Sequence, residues 1–127
     1  ASSVEYIYSH ESGQNDDGTA MDCFIESADF DLGDGEQFVF VDKLIPDVRL
    51  NDTSSDSSGS IDYVIKTRNF PLESLTTNST STVISSTQQS FMRARGRQAV
   101  VRIQSDSTNL NWTLGDLRLN LRPDGRR

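Results

Sequence analysis

Cysteine and histidine are almost absent from this chain, which has one of each, Cys23 and His10. A single cysteine excludes a disulfide within the chain. One cysteine and one histidine also exclude a Cys/His zinc cluster and leave no histidine to spare for a nucleophilic triad. Cys23 lies in a β-prone stretch, where we expect a small buried hydrophobic side chain. We therefore predict neither an enzyme nor a metal site, and no cofactor.

Helical periodicity and long apolar runs are also lacking. No segment repeats apolar residues at i, i+3, i+4 and i+7 over three turns. No run approaches the roughly 20 apolar residues of a membrane-spanning helix, and no signal peptide is recognisable, so we predict no membrane partner. The hydrophobic fraction of the 127 residues is 34%. A chain of this length buries one core, and so few apolar residues favour a thin core between two layers.

What the sequence does have is strict alternation. In residues 97–105, Ala99, Val101 and Ile103 alternate with Gln98, Val100, Arg102 and Gln104. In residues 114–122, Leu117, Leu119 and Leu121 alternate with Arg118, Asn120 and Arg122. A period of two is typical of strands with one buried and one solvated face. Residues 1–127 are therefore predicted to form a single all-β domain, an antiparallel β-sandwich of about 8–10 short strands.

Further strands are predicted at 4–8, 21–27, 37–45 and 61–67, the last with Ile61, Tyr63 and Ile65 inward. Residues 37–45 are apolar on both faces, with Phe38, Phe40 and Leu44 on one and Val39, Val41 and Ile45 on the other. Such a strand is covered on both sides, here by a second sheet and by a neighbouring domain or subunit. For residues 76–90 an exposed edge strand is favoured over a long loop. The strand-like start without Met favours an excised piece of a larger protein over a chain whose initiator Met has been removed.

Charge is divided unevenly along the chain. Its net charge is −7, but residues 1–90 hold 16 acidic and 4 basic residues, whereas residues 91–127 hold 3 acidic and 8 basic ones, all arginine. This division predicts either a molecule with two unlike faces or pairing of the two halves within the chain. Arginine favours planar contacts with carboxylates. The candidate interface residues are Arg93, Arg95, Arg97, Arg102, Arg118 and Arg122, facing carboxylates such as Asp29, Asp31 and Asp34.

Other ligands fit the same residues less well. Phosphate contacts by the arginines would usually come with several stacking aromatics, and the chain as a whole is acidic, so nucleic acid is not the expected partner. The acidic run from Asp29 to Glu36 does not match a calcium loop, because Gly33 stands where the fifth ligand belongs. Solvated turn acids are the better interpretation.

A carbohydrate-binding sandwich is the alternative from another functional class. Sugar sites need exposed aromatic rings beside carboxylates or amides, and the candidates are Trp112 and Tyr63, together with Tyr6 and Tyr8. Trp112 is more readily explained as a core or rim aromatic. A host glycan would be the partner in this alternative.

Two passages resemble virion structural proteins of tailed bacteriophages. The first is FIESADFDLGDGEQFVFVDKLIPDVRL with the later IKTRNFP, and the second is RARGRQAVVRIQSDSTNLNWTLGDLRLNLRPDGRR, which resembles the carboxy-terminal end of those proteins. The resemblance spans roughly residues 20 to 127. It implies a nozzle-, hub- or adaptor-like tail component located in the virion, whose partners are copies of itself and other tail proteins. It implies no catalytic residues.

Overall fold

The structure, a computed structural model, describes Ile7 and residues 13–52 and 59–126. Within these residues the chain forms antiparallel strands and no helix, which confirms the predicted all-β class. The strands are β1 (Cys23–Glu26), β2 (Phe30–Asp31), β3 (Val39–Ile45), β4 (Val48–Asp52), β5 (Ile61–Arg68), β6 (Thr76–Val83), β7 (Ser90–Gly96), β8 (Gln98–Ser105), β9 (Leu110–Leu114) and β10 (Arg118–Pro123). Apart from Ile7, the strand predicted at 4–8 lies outside the described residues.

The strands are arranged in three sheets. A five-stranded sheet has the order β1-β8-β5-β6, with β2 also pairing with β8 beyond the end of β1. A three-stranded sheet has the order β10-β3-β7, and β4 pairs with β9 alone. Of residues 76–90, predicted as an edge strand, residues 76–83 form β6 at the edge of the five-stranded sheet, and residues 84–89 are not in a strand. β6 lies beside β7, where the Arg93 backbone N–H donates to Ser79 Oγ at 3.2 Å.

The pairing is nested in the manner of one long hairpin rolled up on itself. β3 pairs with β10, β4 with β9 and β5 with β8, while β6 and β7 lie side by side. The β3–β10 and β4–β9 pairs form one ribbon with a corner between Ile45 and Val48, where the Gly115 N–H donates to the Asp47 carbonyl at 2.7 Å. The sequence predicted one strand over 114–122. That prediction was wrong, because the chain turns at residues 115–117 and thereby separates β9 from β10.

The core lies between the five-stranded and the three-stranded sheet. Alternation along β5 and β8 turns Ile61, Tyr63, Ile65, Val101 and Ile103 inward, as the sequence predicted for the first three. The opposite layer contributes Val41, Leu44, Met92 and Ala94, and one end is closed by half-buried residues of β4 and β9, including Leu50 and Trp112.

Two burial predictions need correction. A register shift between Val41 and Lys43 moves Leu44 to the same side as Val41, instead of the side of Phe38 and Phe40. Cys23 was expected to be buried but is exposed, because it lies on β1, the edge strand of the five-stranded sheet.

Candidate functional site

The six arginines predicted to share one surface are distributed over two sheets. Arg93 and Arg95 lie on β7, and Arg118 and Arg122 lie on β10, all in the three-stranded sheet. Arg102 lies on β8 in the five-stranded sheet, and Arg97 lies in the link between β7 and β8. Alternation correctly predicted that the side chains of Arg102, Arg118 and Arg122 face away from the core. It carried no information on which strands share a sheet.

The outer side of the three-stranded sheet combines arginine with phenylalanine. Phe40 on the central strand lies between its register partners Arg95 and Arg122. The guanidinium carbon of Arg95 lies 4.0 Å from the ring centroid of Phe38, and that of Arg122 lies 5.8 Å from the centroid of Phe40. Stacking of this kind is favourable because the cation meets the negative ring face. We call Phe40, Phe91, Arg93, Arg95 and Arg122 the basic aromatic face.

Arginines of the same chain therefore provide cover for the outer side of β3. Phe38 is 6% exposed, and Arg97 also stacks on it, with 4.7 Å between guanidinium carbon and ring centroid. Cover by a neighbouring domain or subunit stays a prediction, since arginines of the chain itself already cover part of this side.

Most of these arginines are also ion-paired within the chain. Arg95 pairs with Asp124, Arg122 with Asp42 at 2.8 Å, and Arg118 with Asp47 at 3.2 Å. Pairing of the two halves of the chain, one of the two possibilities that the charge division predicted, is thus present at Arg118 and Arg122. Arg95 and Asp124 both lie in residues 91–127, so their pair does not join the two halves.

Phe91 and Arg93 are two exposed members of the basic aromatic face. Phe91 is 75% exposed, and the exposed Arg93 side chain forms no ion pair with the described residues. Sequence reasoning singled out Arg93 but not Phe91. The sequence pattern does indicate Phe91, because Phe91, Arg93 and Arg95 are two residues apart and therefore lie on the same face of a strand.

The predicted acidic partners are separately placed. Asp29 pairs with Arg68, and Asp31 accepts a hydrogen bond from Gln98 Nε2 at 2.8 Å. Asp34 lies exposed in the turn after β2. In the part of the chain that the structure describes, no three histidine, cysteine or acidic side chains are placed to bind a metal ion together.

Glu26 on β1 pairs with two basic side chains of the five-stranded sheet. Its Oε2 lies 2.8 Å from Lys66 Nζ and 3.6 Å from a guanidinium nitrogen of Arg102. The hydrogen bond from Lys66 is the main reason that the pKa of Glu26 lies below its usual value. Arg102 also stacks on Phe24, 3.8 Å from its ring centroid.

Asp47 fixes the corner between β3 and β4. Its carboxylate accepts hydrogen bonds from the Asp116 N–H and from Arg118, each at 3.2 Å. The hydrogen bond from the Asp116 backbone is the first cause of the lowered pKa of Asp47, followed by that from Arg118. Sequence reasoning noted only that Pro46-Asp47 ends a strand, because the partners are almost 70 residues away.

Tyr63 and Trp112, the two candidate sugar-binding residues, differ in exposure. Tyr63 is 1% exposed and lies in the core, so its ring is not accessible to a sugar. Its hydroxyl has no hydrogen-bond partner among the described residues, and burial raises the pKa of Tyr63 to about 12. Trp112 is half-buried against the core and borders a hollow of about 540 Å³, lined also by Gln14, Met21 and Asn111.

A second hollow, of about 270 Å³, lies beside β1 on the opposite side of the sheet edge. Asp22, Asp62 and Asp106 contribute three carboxylates to its lining, and Arg102 contributes the one cation.

The described residues contain no helix able to cross a membrane. No protein-family model matches the sequence, and a search of curated proteins finds no significant match.

Proposed function

We propose that the chain is a non-enzymatic structural component of a bacteriophage tail, a nozzle-, hub- or adaptor-like subunit of the virion. It assembles with copies of itself and with other tail proteins through charged and apolar surfaces of its β-sheets. The observation that carries the assembly role is the exposed pair Phe91 and Arg93 on a sheet face that is otherwise paired within the chain.

Exposed aromatic and arginine side chains are the types that contribute most to protein interfaces. The backbone of Phe91 is already fixed in β7, so only the rotamer freedom of its side chain is lost when a partner covers it. The arrangement of unlike charges on different parts of one molecule suits head-to-tail contacts between copies. The sequence resemblance to tail proteins supplies the biological setting of the proposal.

The test compares self-association of the wild type with that of a Phe91→Ser/Arg93→Gln double variant. Arg95 and Arg97 are unsuitable, because they stack on Phe38 and their loss would disturb the fold. Light scattering at low and high salt should show oligomers that dissociate as salt is raised. The double variant should associate at least about tenfold more weakly, which corresponds to roughly 1.4 kcal/mol.

The matched control is Leu72→Ser/Arg49→Gln, which removes one exposed apolar and one exposed basic side chain elsewhere. Equal weakening in both double variants would contradict the assigned surface. A wild-type chain that stays monomeric at all salt concentrations would contradict self-assembly. A monomer that bound immobilised glycans through Trp112 and Asn111 would instead support the receptor-binding alternative.

A further inference from the structure

The edge of the five-stranded sheet at β1 is unusually open. All four residues of β1 are exposed, including Phe24 at 59% and Ile25 at 52%. In residues 13–52 and 59–126, no strand pairs with the side of β1 that faces away from β8. Natural sheets often protect such edges with charged residues, proline or very short strands. β1 is short and ends in Glu26, but Cys23, Phe24 and Ile25 carry no charge. Among the described residues, this side of the β1 backbone is unpaired.

The two sides of this edge differ chemically. Phe24 and Glu26 lie on the outer side, next to the hollow that contains Asp22, Asp62 and Asp106. The one cation there, Arg102, is already bound to Glu26.

The inner side of the same edge is apolar. Cys23 and Ile25 are the register partners of Ser105 and Ile103, which face the core. Beside them, Met21, Leu110 and Trp112 line the larger hollow. A strand that fits both sides has basic residues alternating with apolar ones, because successive side chains point to opposite faces.

β10 of this chain has that alternation. Arg118 and Arg122 point outward, with side chains 52% and 63% exposed, whereas Leu119 points to the core side and Leu121 follows it in phase. β10 is also an edge strand, since β3 is its one neighbour in the three-stranded sheet of the described residues. Leu121 remains 41% exposed.

We propose that β1 of one copy pairs with β10 of a second copy, so that the five-stranded sheet of one continues into the three-stranded sheet of the next. The pairing is antiparallel and places Cys23 opposite Leu121 and Ile25 opposite Leu119 on the inner side. On the outer side it brings Asp22 and Glu26 to Arg122 and Arg118. Symmetric pairing of β1 with β1 is disfavoured, because it would bring the Asp22 and Glu26 carboxylates of both copies together. This inference rests on the proposed self-assembly and specifies its contact.

A contact between two different edges leaves one free edge of each kind on every dimer. Further copies therefore add in the same direction, and the assembly either closes into a ring or extends as a filament.

Cys23 is the one cysteine of the chain and lies on β1, which makes the pairing directly testable. Wild-type chain is mixed with a Cys23→Ser/Leu121→Cys variant, and the mixture is oxidised gently. Residues that lie directly opposite each other on neighbouring strands and share a sheet face are within disulfide reach. The disulfide-linked heterodimer should form, and peptide mass spectrometry should identify a link between Cys23 and position 121.

The matched control is a Cys23→Ser/Asn120→Cys variant, in which the new thiol lies on the same strand but faces the outer side. We expect several-fold less heterodimer with this variant. Circular dichroism checks that both variants are folded. Equal yields from the two variants would overturn the proposed pairing, and so would a predominant Cys23–Cys23 dimer of the wild type.

Two further results separate the possible failures. Oligomers in light scattering without the link to position 121 would overturn the β1–β10 pairing and leave self-assembly intact, whereas a monomer without any link would overturn both. A link that forms only after removal of residues 1–12 would show that the edge is occupied by the chain itself, and the proposal would then be wrong.

Discussion

Replacing Tyr63 with phenylalanine should stabilise the protein. The Tyr63 side chain is 1% exposed, and its hydroxyl has no hydrogen-bond partner among the described residues. A buried polar group without a partner costs about 1–3 kcal/mol. A phenylalanine ring keeps the apolar contacts of the tyrosine with the core and has no hydroxyl to bury. The packing contacts of the oxygen atom are lost, which reduces the gain slightly. We expect a gain of about 1 kcal/mol, or roughly 3 to 6 °C in the melting temperature.

The same residue predicts a dependence on alkaline pH. The pKa of Tyr63 is raised from 10.0 to about 12 because burial disfavours the charged phenolate. A group whose pKa is higher in the folded state contributes its full stability below the unfolded value and loses it as the pH rises towards the folded value. The wild type should therefore lose about 2–3 kcal/mol between pH 10 and 12, since each unit corresponds to about 1.4 kcal/mol. The phenylalanine variant lacks this loss.

Urea unfolding of both proteins at pH 7 and across the alkaline range provides the measurement. Tyr6 and Tyr8 are present in both proteins, so the difference between the two curves isolates Tyr63. A variant that is less stable than the wild type at pH 7 by about 1 kcal/mol or more would refute the reasoning, because the hydroxyl must then have a hydrogen-bond partner. Parallel curves above pH 10 would refute the assigned titration.

Two predictions concern the corner at Asp47. A methyl group at position 115 would lie 2.6 Å from the Asp47 carboxylate, so Gly115→Ala should displace that carboxylate from its hydrogen bonds and lower the melting temperature. Asp116→Ala, at an exposed position, should have a smaller effect in the same thermal unfolding measurement. Because the pKa of Asp47 is lowered in the folded state, its contribution is present above the unfolded pKa and is lost as the pH falls through the folded value. Asp47→Asn should accordingly be less stable than the wild type at pH 7, and the difference in urea unfolding should shrink below pH 4. A constant difference would argue against the carboxylate.

The features that could be predicted from the sequence are those that depend on neighbours along the chain. Alternation in β5 and β8 placed Ile61, Tyr63 and Ile103 on the core side, and the structure agrees. Those patterns report the two faces of a strand, and a strand keeps its faces wherever it lies in the fold.

The features that could not be predicted from the sequence depend on contacts with residues far along the chain. Leu114 to Arg122 alternates as one strand would, but the Gly115 N–H binds the Asp47 carbonyl and the ribbon turns there. Cysteine is a residue type that is often buried, but Cys23 is exposed because β1 lies at the edge of its sheet. Arg102 and Arg122 have the same local pattern, and only the pairing of β8 with β5 and of β10 with β3 places them on different sheets.

The rolled hairpin also has a consequence for synthesis. β3 emerges from the ribosome before both of its neighbours, since β7 and β10 follow it by about 50 and 80 residues along the chain. Its apolar residues stay without their sheet partners until nearly the whole described segment has been translated. Contacts between residues so distant in sequence form slowly, because long loops must close first. A chain interrupted before Arg118 would therefore expose the centre of the three-stranded sheet to chaperones and proteases.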